Sequence, residues 1–179
     1  MKNLLSKLVV LVFLLSVGCH DDDGIKFEGI VAKDALNQAL GTIGSRDLED
    51  WGNDGSLSKK VLDLLATTPD QDITGTNSAD ITLSVYPNPT ANSFIFKSNL
   101  TGGPSVLECI IVNEKMKVLR SGSVVGPNPA FYFDVSNREK FPSGSIVRVY
   151  YSFSAEGDQN FYVGHGDVLI CDPASQDCF

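Results

Sequence analysis

The chain has 179 residues, with 14 basic and 22 acidic side chains and a formal net charge of −8. That acidic balance argues against a basic surface for nucleic acid or for anionic lipid headgroups. Length and a 42% hydrophobic content suit one domain, or one domain with a small appendage.

Residues 1–23, MKNLLSKLVVLVFLLSVGCHDDD, open on Lys2 and Lys7, continue through the apolar run Leu8 to Leu15, and reach the small residues Ser16 and Gly18 before Cys19. Basic, then apolar, then small is the pattern of a secretory signal, and the run is too short to remain as a bilayer-spanning helix. A cysteine directly after the small residues resembles a bacterial lipobox, with Ser16 where leucine is usual. The resemblance implies cleavage before Cys19 and lipidation of that residue, which would anchor the protein to a membrane without spanning it. Cleavage removes 18 residues and two lysines, leaving 161 residues with 12 basic against 22 acidic side chains, a net charge of −10. His20 and Asp21–Asp23 then form a solvated tether. The acidic cluster resembles those following the lipidated cysteine in surface-exported lipoproteins of Bacteroidota, which implies an outer-membrane, cell-surface location.

Residues 19–29 read as tether. In the segment 30–66, apolar residues from Ile30 to Ile43 recur at helical spacing and Gly41 and Gly44 end the pattern. The stretch SRDLEDWGNDG (45–55) reads as a polar loop holding Trp51, the single tryptophan, and a second short helix is expected over Leu57–Ala66 with Ser56 as N-cap. Residues 67–80 read as linker. Within it, Asp70 to Ile81 loosely matches a calcium loop, but Thr74 and Ile81 occupy ligand positions, so no metal is expected.

From Ile81 the character changes. Seven apolar or alternating runs, at 81–86, 93–98, 105–112, 117–122, 130–135, 145–153 and 161–170, are separated by turn signals. That rhythm predicts a β-sandwich over 81–179. The expected fold is therefore mainly β: an antiparallel β-sandwich of about seven strands preceded by a short two-helix segment. In the run 145–153, Val147, Val149, Tyr151 and Phe153 form the better core face. Cys109 reads as a buried strand thiol. Cys171 and Cys178 bracket a short loop, and in an exported protein they are expected to form a disulfide worth about 2.5 kcal/mol.

Val85-Tyr86-Pro87-Asn88-Pro89-Thr90, followed by a short apolar strand, resembles the start of type A C-terminal sorting domains of the Bacteroidota type IX secretion system. The order of strands, turn and Gly144 downstream is similar over residues 81–170. The resemblance implies a β-sandwich and a role in secretion, with Tyr86, Pro87, Asn88, Pro89 and Gly144 as motif residues. The chain departs at Asn113–Met116, where the family has glycine, at Gly144-Ser145-Ile146, where it has Gly-x-Tyr, and at its C-terminal end.

The best candidate for chemistry is His165 between Gly164 and Gly166, as a general base oriented by Asp167. No nucleophile motif accompanies it, so His165 is read as a loop histidine and no catalytic residue is assigned. No cofactor is expected. Trp51 and Tyr151 are candidate stacking residues for a glycan. The expected function is a non-enzymatic surface lipoprotein with a β-sandwich interaction module. The alternatives are a working sorting domain and a small glycan-binding lipoprotein. Expected partners are the membrane through Cys19, a protein at the cell surface or the secretion machinery, and a glycan; nucleic acid is not among them.

Overall fold

The computed structural model describes residues 24–45, 50–54, 57–65, 82–99, 105–155 and 161–175. The leader and Cys19, residues 67–80 with their calcium-like stretch, Ser56 and Cys178 lie outside the described residues. Among those described are nine strands and one helix, so the chain is mainly β and its sheets are antiparallel.

The first correction falls on Ile30–Ile43, expected as a helix. It is a hairpin of β1 (Gly29–Lys33) and β2 (Ala39–Gly44). Ile30 and Ala32 are buried while Val31 and Lys33 are only half-buried, which is the alternation of a strand. Between the strands, the Asp34 carboxylate accepts the backbone N–H groups of Leu36 and Gln38 at 2.9 and 2.8 Å. An aspartate that satisfies backbone donors locally favours a turn over a helix. Asn37, Gly41 and Gly44 have φ of 64°, 120° and 85°, values that interrupt any right-handed helix.

The second expected helix is present but shorter, as α1 (Lys59–Leu65). Its first turn is closed by Ser58, whose Oγ accepts the Val61 N–H at 3.4 Å and whose carbonyl accepts the Leu62 N–H at 3.0 Å. Seven residues do not hold a helix alone in water. Val61 and Leu65 are buried against Ile110, Val112 and Tyr150, and that packing supports it.

The remaining strands are β3 (Thr82–Tyr86), β4 (Ser93–Asn99), β5 (Ser105–Val112), β6 (Val118–Gly126), β7 (Ala130–Asp134), β8 (Ile146–Ala155) and β9 (Phe161–Leu169). They form a three-stranded sheet ordered β3-β4-β7 and a four-stranded sheet ordered β6-β5-β8-β9. Among the described residues, nine strands and one helix thus stand against the expected seven strands and two helices.

Both sheets contribute to one apolar core. Phe94, Phe96 and Phe133 come from the three-stranded sheet, and Leu107, Ile111, Val149, Tyr151 and Val168 from the four-stranded one. Val147, Val149, Tyr151 and Phe153 face this core as the alternation in β8 indicates. Cys109, a free thiol on β5, is also buried there, and burial pushes it well above its ordinary pKa. Gly122 on β6 leaves room for Phe131, since a Cβ there would sit 2.7 Å from that ring. The outer face of the four-stranded sheet is not open: α1, Ile25, Leu57 and Met116 lie over Ile110, Val112 and Tyr150. That second cover explains the apolar run Cys109–Val112 in β5, which is buried on both faces of the sheet.

Candidate functional site

Strand β9 ends the four-stranded sheet, and a bare edge strand exposes unpaired backbone groups. Two segments that are not strands supply the missing partners. Residues 50–54 run along the edge as a strap. The Trp51 N–H donates to the His165 carbonyl at 2.7 Å, and the Asp54 N–H to the Val163 carbonyl at 3.0 Å. The Asp167 N–H donates to Asp50 Oδ1 at 2.7 Å. Further along, Asn88 Oδ1 accepts the Leu169 N–H at 3.0 Å, Asn88 Nδ2 donates to the Asp167 carbonyl at 2.8 Å, and the Thr90 N–H donates to the Leu169 carbonyl at 2.9 Å.

Asn88 is the hub of this edge. Its side chain is fully buried and also donates to the Val31 carbonyl at 3.3 Å. Its backbone exchanges both hydrogen bonds with Lys33, at 2.8 and 2.9 Å. One residue of the Tyr86–Pro89 motif thereby joins the three-stranded sheet, β1 and β9. The prolines on either side cannot donate, so Asn88 provides the amide of this turn.

Trp51 fills a slot that the glycines of β9 leave open. A Cβ on Gly166 would lie 2.2 Å from the Trp51 ring, and one on Gly164 would lie 2.1 Å from the Gly52 carbonyl oxygen. The indole stacks on Tyr151, with centroids 6.3 Å apart and planes 7° apart, and tilts against Phe96 at 5.9 Å. The Tyr151 hydroxyl donates to the Gly52 carbonyl at 2.6 Å. Tyr151 is fully buried, and burial raises its pKa well above the ordinary phenol value. Trp51 and Tyr151, the two candidate glycan residues, are brought together, but as core partners of each other rather than as an open platform.

The other face of β8 and β9 carries a charged ladder. Arg148 makes a two-pronged ion pair with Asp167, both contacts at 2.8 Å, and its guanidinium lies 5.5 Å from the Phe27 ring centre. Burial works against the guanidinium charge, yet the Asp167 hydrogen bonds and charge raise its pKa overall. One rung along, His165 sits opposite Tyr150 and pairs through Nδ1 with Asp54 Oδ2 at 2.6 Å. Both side chains are about 10% exposed. Burial disfavours the imidazolium, but the Asp54 hydrogen bond and charge more than offset it, so His165 is held above its ordinary value.

His165 therefore lies on a strand rather than in a loop, and Asp54, not Asp167, orients it. Asp167 is taken by Arg148. The sequence pattern pointed to His165 and Asp167 but gave no sign of Asp50, Asp54 or Arg148. The two aspartates lie in a stretch that reads as an ordinary polar loop, and only the tertiary fold brings them to β9. Chemically, the arrangement holds a strap to a strand by the Asp54–His165 pair and a set of hydrogen bonds to the strand's backbone.

The other motif positions are structural in location. Tyr86 ends β3 with the Lys97 ammonium 5.5 Å from its ring centre. Pro87 is half-buried and Pro89 buried. Gly144 adopts φ 81° before β8 and donates its N–H to the Ile170 carbonyl at 2.7 Å, a conformation that favours glycine. Cys171 is buried with its N–H on the Thr90 carbonyl at 2.9 Å, while its expected partner Cys178 falls outside the described residues. Among the described residues, no group of three or more His, Cys, Asp or Glu could hold a metal ion, and no helix is long and apolar enough to cross a membrane. The chain matches no protein-family model, no curated protein and no solved structure.

Proposed function

We propose that the protein is a non-enzymatic lipoprotein, anchored through Cys19 at the outer-membrane surface, whose seven C-terminal strands form a β-sandwich used as an interaction module. The observation that carries this reading is the union of the two halves of the chain. Residues 50–54 and Asn88 complete the β9 edge, Trp51 enters the core, and α1 covers the opposite face. A module built this way works as one body presented on its tether. The Cys171–Cys178 disulfide belongs to the same proposal.

The competing reading is a C-terminal sorting domain removed after export. Removal near residue 80 would take β9 away from its strap and leave Trp51 without its slot, so the integration of residues 24–65 speaks for retention. Glycan binding through Trp51 and Tyr151 has less support, because Tyr151 is fully buried and the Trp51 ring packs on Tyr151 and Phe96. The test is fractionation of cells expressing the native chain and Cys19→Ala. The native protein is expected in the outer-membrane fraction and accessible to external protease, and the variant is expected to be lost from that fraction. Equal distribution of the two would overturn the proposal.

A further inference from the structure

The chain enters the described fold beside a cavity of about 470 Å³. The Ile25 N–H donates to the Glu114 carbonyl at 2.9 Å. Phe27, two residues on, lines the cavity together with the buried core side chain of Val147. Four charged residues share that lining: Glu114, Lys117, Glu139 and Lys140. Among the described residues, none of the four is tied into an ion pair. Two cations and two anions thus line one partly apolar hollow without neutralising one another.

We infer that this cavity binds a zwitterionic lipid headgroup carrying a phosphate and a primary ammonium, the phosphoethanolamine type. The inference rests on acylation of Cys19. Four residues lie between Cys19 and Gly24, and the five Cα–Cα steps reach at most about 18 Å when fully extended. Phe27, the first residue of the cavity lining, follows three positions after Gly24, so an anchored chain holds the cavity near the headgroup layer. Lys117 and Lys140 match the phosphate, and Glu114 and Glu139 accept hydrogen bonds from the ammonium. The mature net charge of −10 disfavours general attraction to anionic lipids, so recognition depends on local charges of both signs. Tethering supplies a high effective concentration of headgroups, and a weak site suffices.

The test uses the mature acylated protein in vesicles of phosphatidylcholine alone, or of phosphatidylcholine mixed with phosphatidylethanolamine or with phosphatidylglycerol. The readout is amide hydrogen exchange over residues 113–119 and 139–147. Phosphatidylcholine has no ammonium N–H, and phosphatidylglycerol has no ammonium. Exchange is expected to slow by about tenfold with phosphatidylethanolamine if its effective concentration is about ten times Kd. The slowing is expected to vanish in K117Q/K140Q, whose altered side chains are exposed and leave the core intact. In E114Q/E139Q the preference for phosphatidylethanolamine over phosphatidylcholine is expected to disappear. Equal exchange in all three vesicles, equal slowing by phosphatidylglycerol, or slowing that survives K117Q/K140Q would each overturn the site. Intact mass and flotation of the same sample separate the two readings. Protein without an acyl group that does not float contradicts the anchor, whereas acylated, floated protein with uniform exchange contradicts the headgroup site alone.

Discussion

Gly166 and Asn88 show how single residues set this structure. At Gly166 the missing side chain is what matters, because the Trp51 ring occupies the space of a Cβ. Gly166→Ala should force the indole out of its slot and destabilise the fold by about 1–3 kcal/mol, the range for overpacked cores. Trp51 is the only tryptophan, so its fluorescence reports the displacement directly as a red shift, and urea denaturation gives the loss of stability. At Asn88 the side chain's polarity matters. Asn88→Ala would leave the Leu169 N–H and the carbonyls of Asp167 and Val31 without their partner. Stranded buried groups of this kind cost on the order of 3 kcal/mol together, readable as a lowered urea midpoint. The Tyr86–Pro89 motif was legible in the sequence as a turn before a strand. Its role as the hub of the β9 edge was not, because every partner of the Asn88 side chain lies more than fifty residues away in sequence.

At the scale of elements, the strap of residues 50–54 depends on the Asp54–His165 pair. The native pKa of His165 lies above its ordinary 6.5, so the folded state binds that proton more tightly than the unfolded chain. The resulting stabilisation is fully present below 6.5 and is lost as pH rises through the higher native value. Urea midpoints should therefore fall as pH rises from about 6.5 through the higher native value, and Asp54→Asn should flatten that fall by removing the charge that raises His165. A native profile that rises over this interval would contradict the assignment. The strands after Ile81 were readable because alternation and turn residues agree there, as in the run that became β8. The hairpin of β1 and β2 was not, because its apolar spacing fits either period over so short a stretch. The turn chemistry of Asp34 and the positive φ of Asn37 decided between them. Asp50 and Asp54 stayed hidden for a different reason: a carboxylate in a polar loop looks the same whether it faces water or the edge of a strand.

Across the whole molecule, the N-terminal segment behaves as part of the C-terminal fold rather than as cargo attached to it. Residues 82–179 expressed alone would present the β9 edge without its strap, an uncovered outer face at Ile110 and Tyr150, and a core open at the Trp51 slot. Such a fragment should aggregate and should lack the cooperative urea transition of the full mature chain, as size-exclusion chromatography and near-ultraviolet circular dichroism would show. The most direct test of the account is the intact mass of protein released by detergent from the outer membrane of cells expressing the native chain. The account predicts one species that begins at an acylated Cys19 and ends at Phe179. A product truncated near residue 80, with residues 81–179 missing or released to the medium, would contradict it.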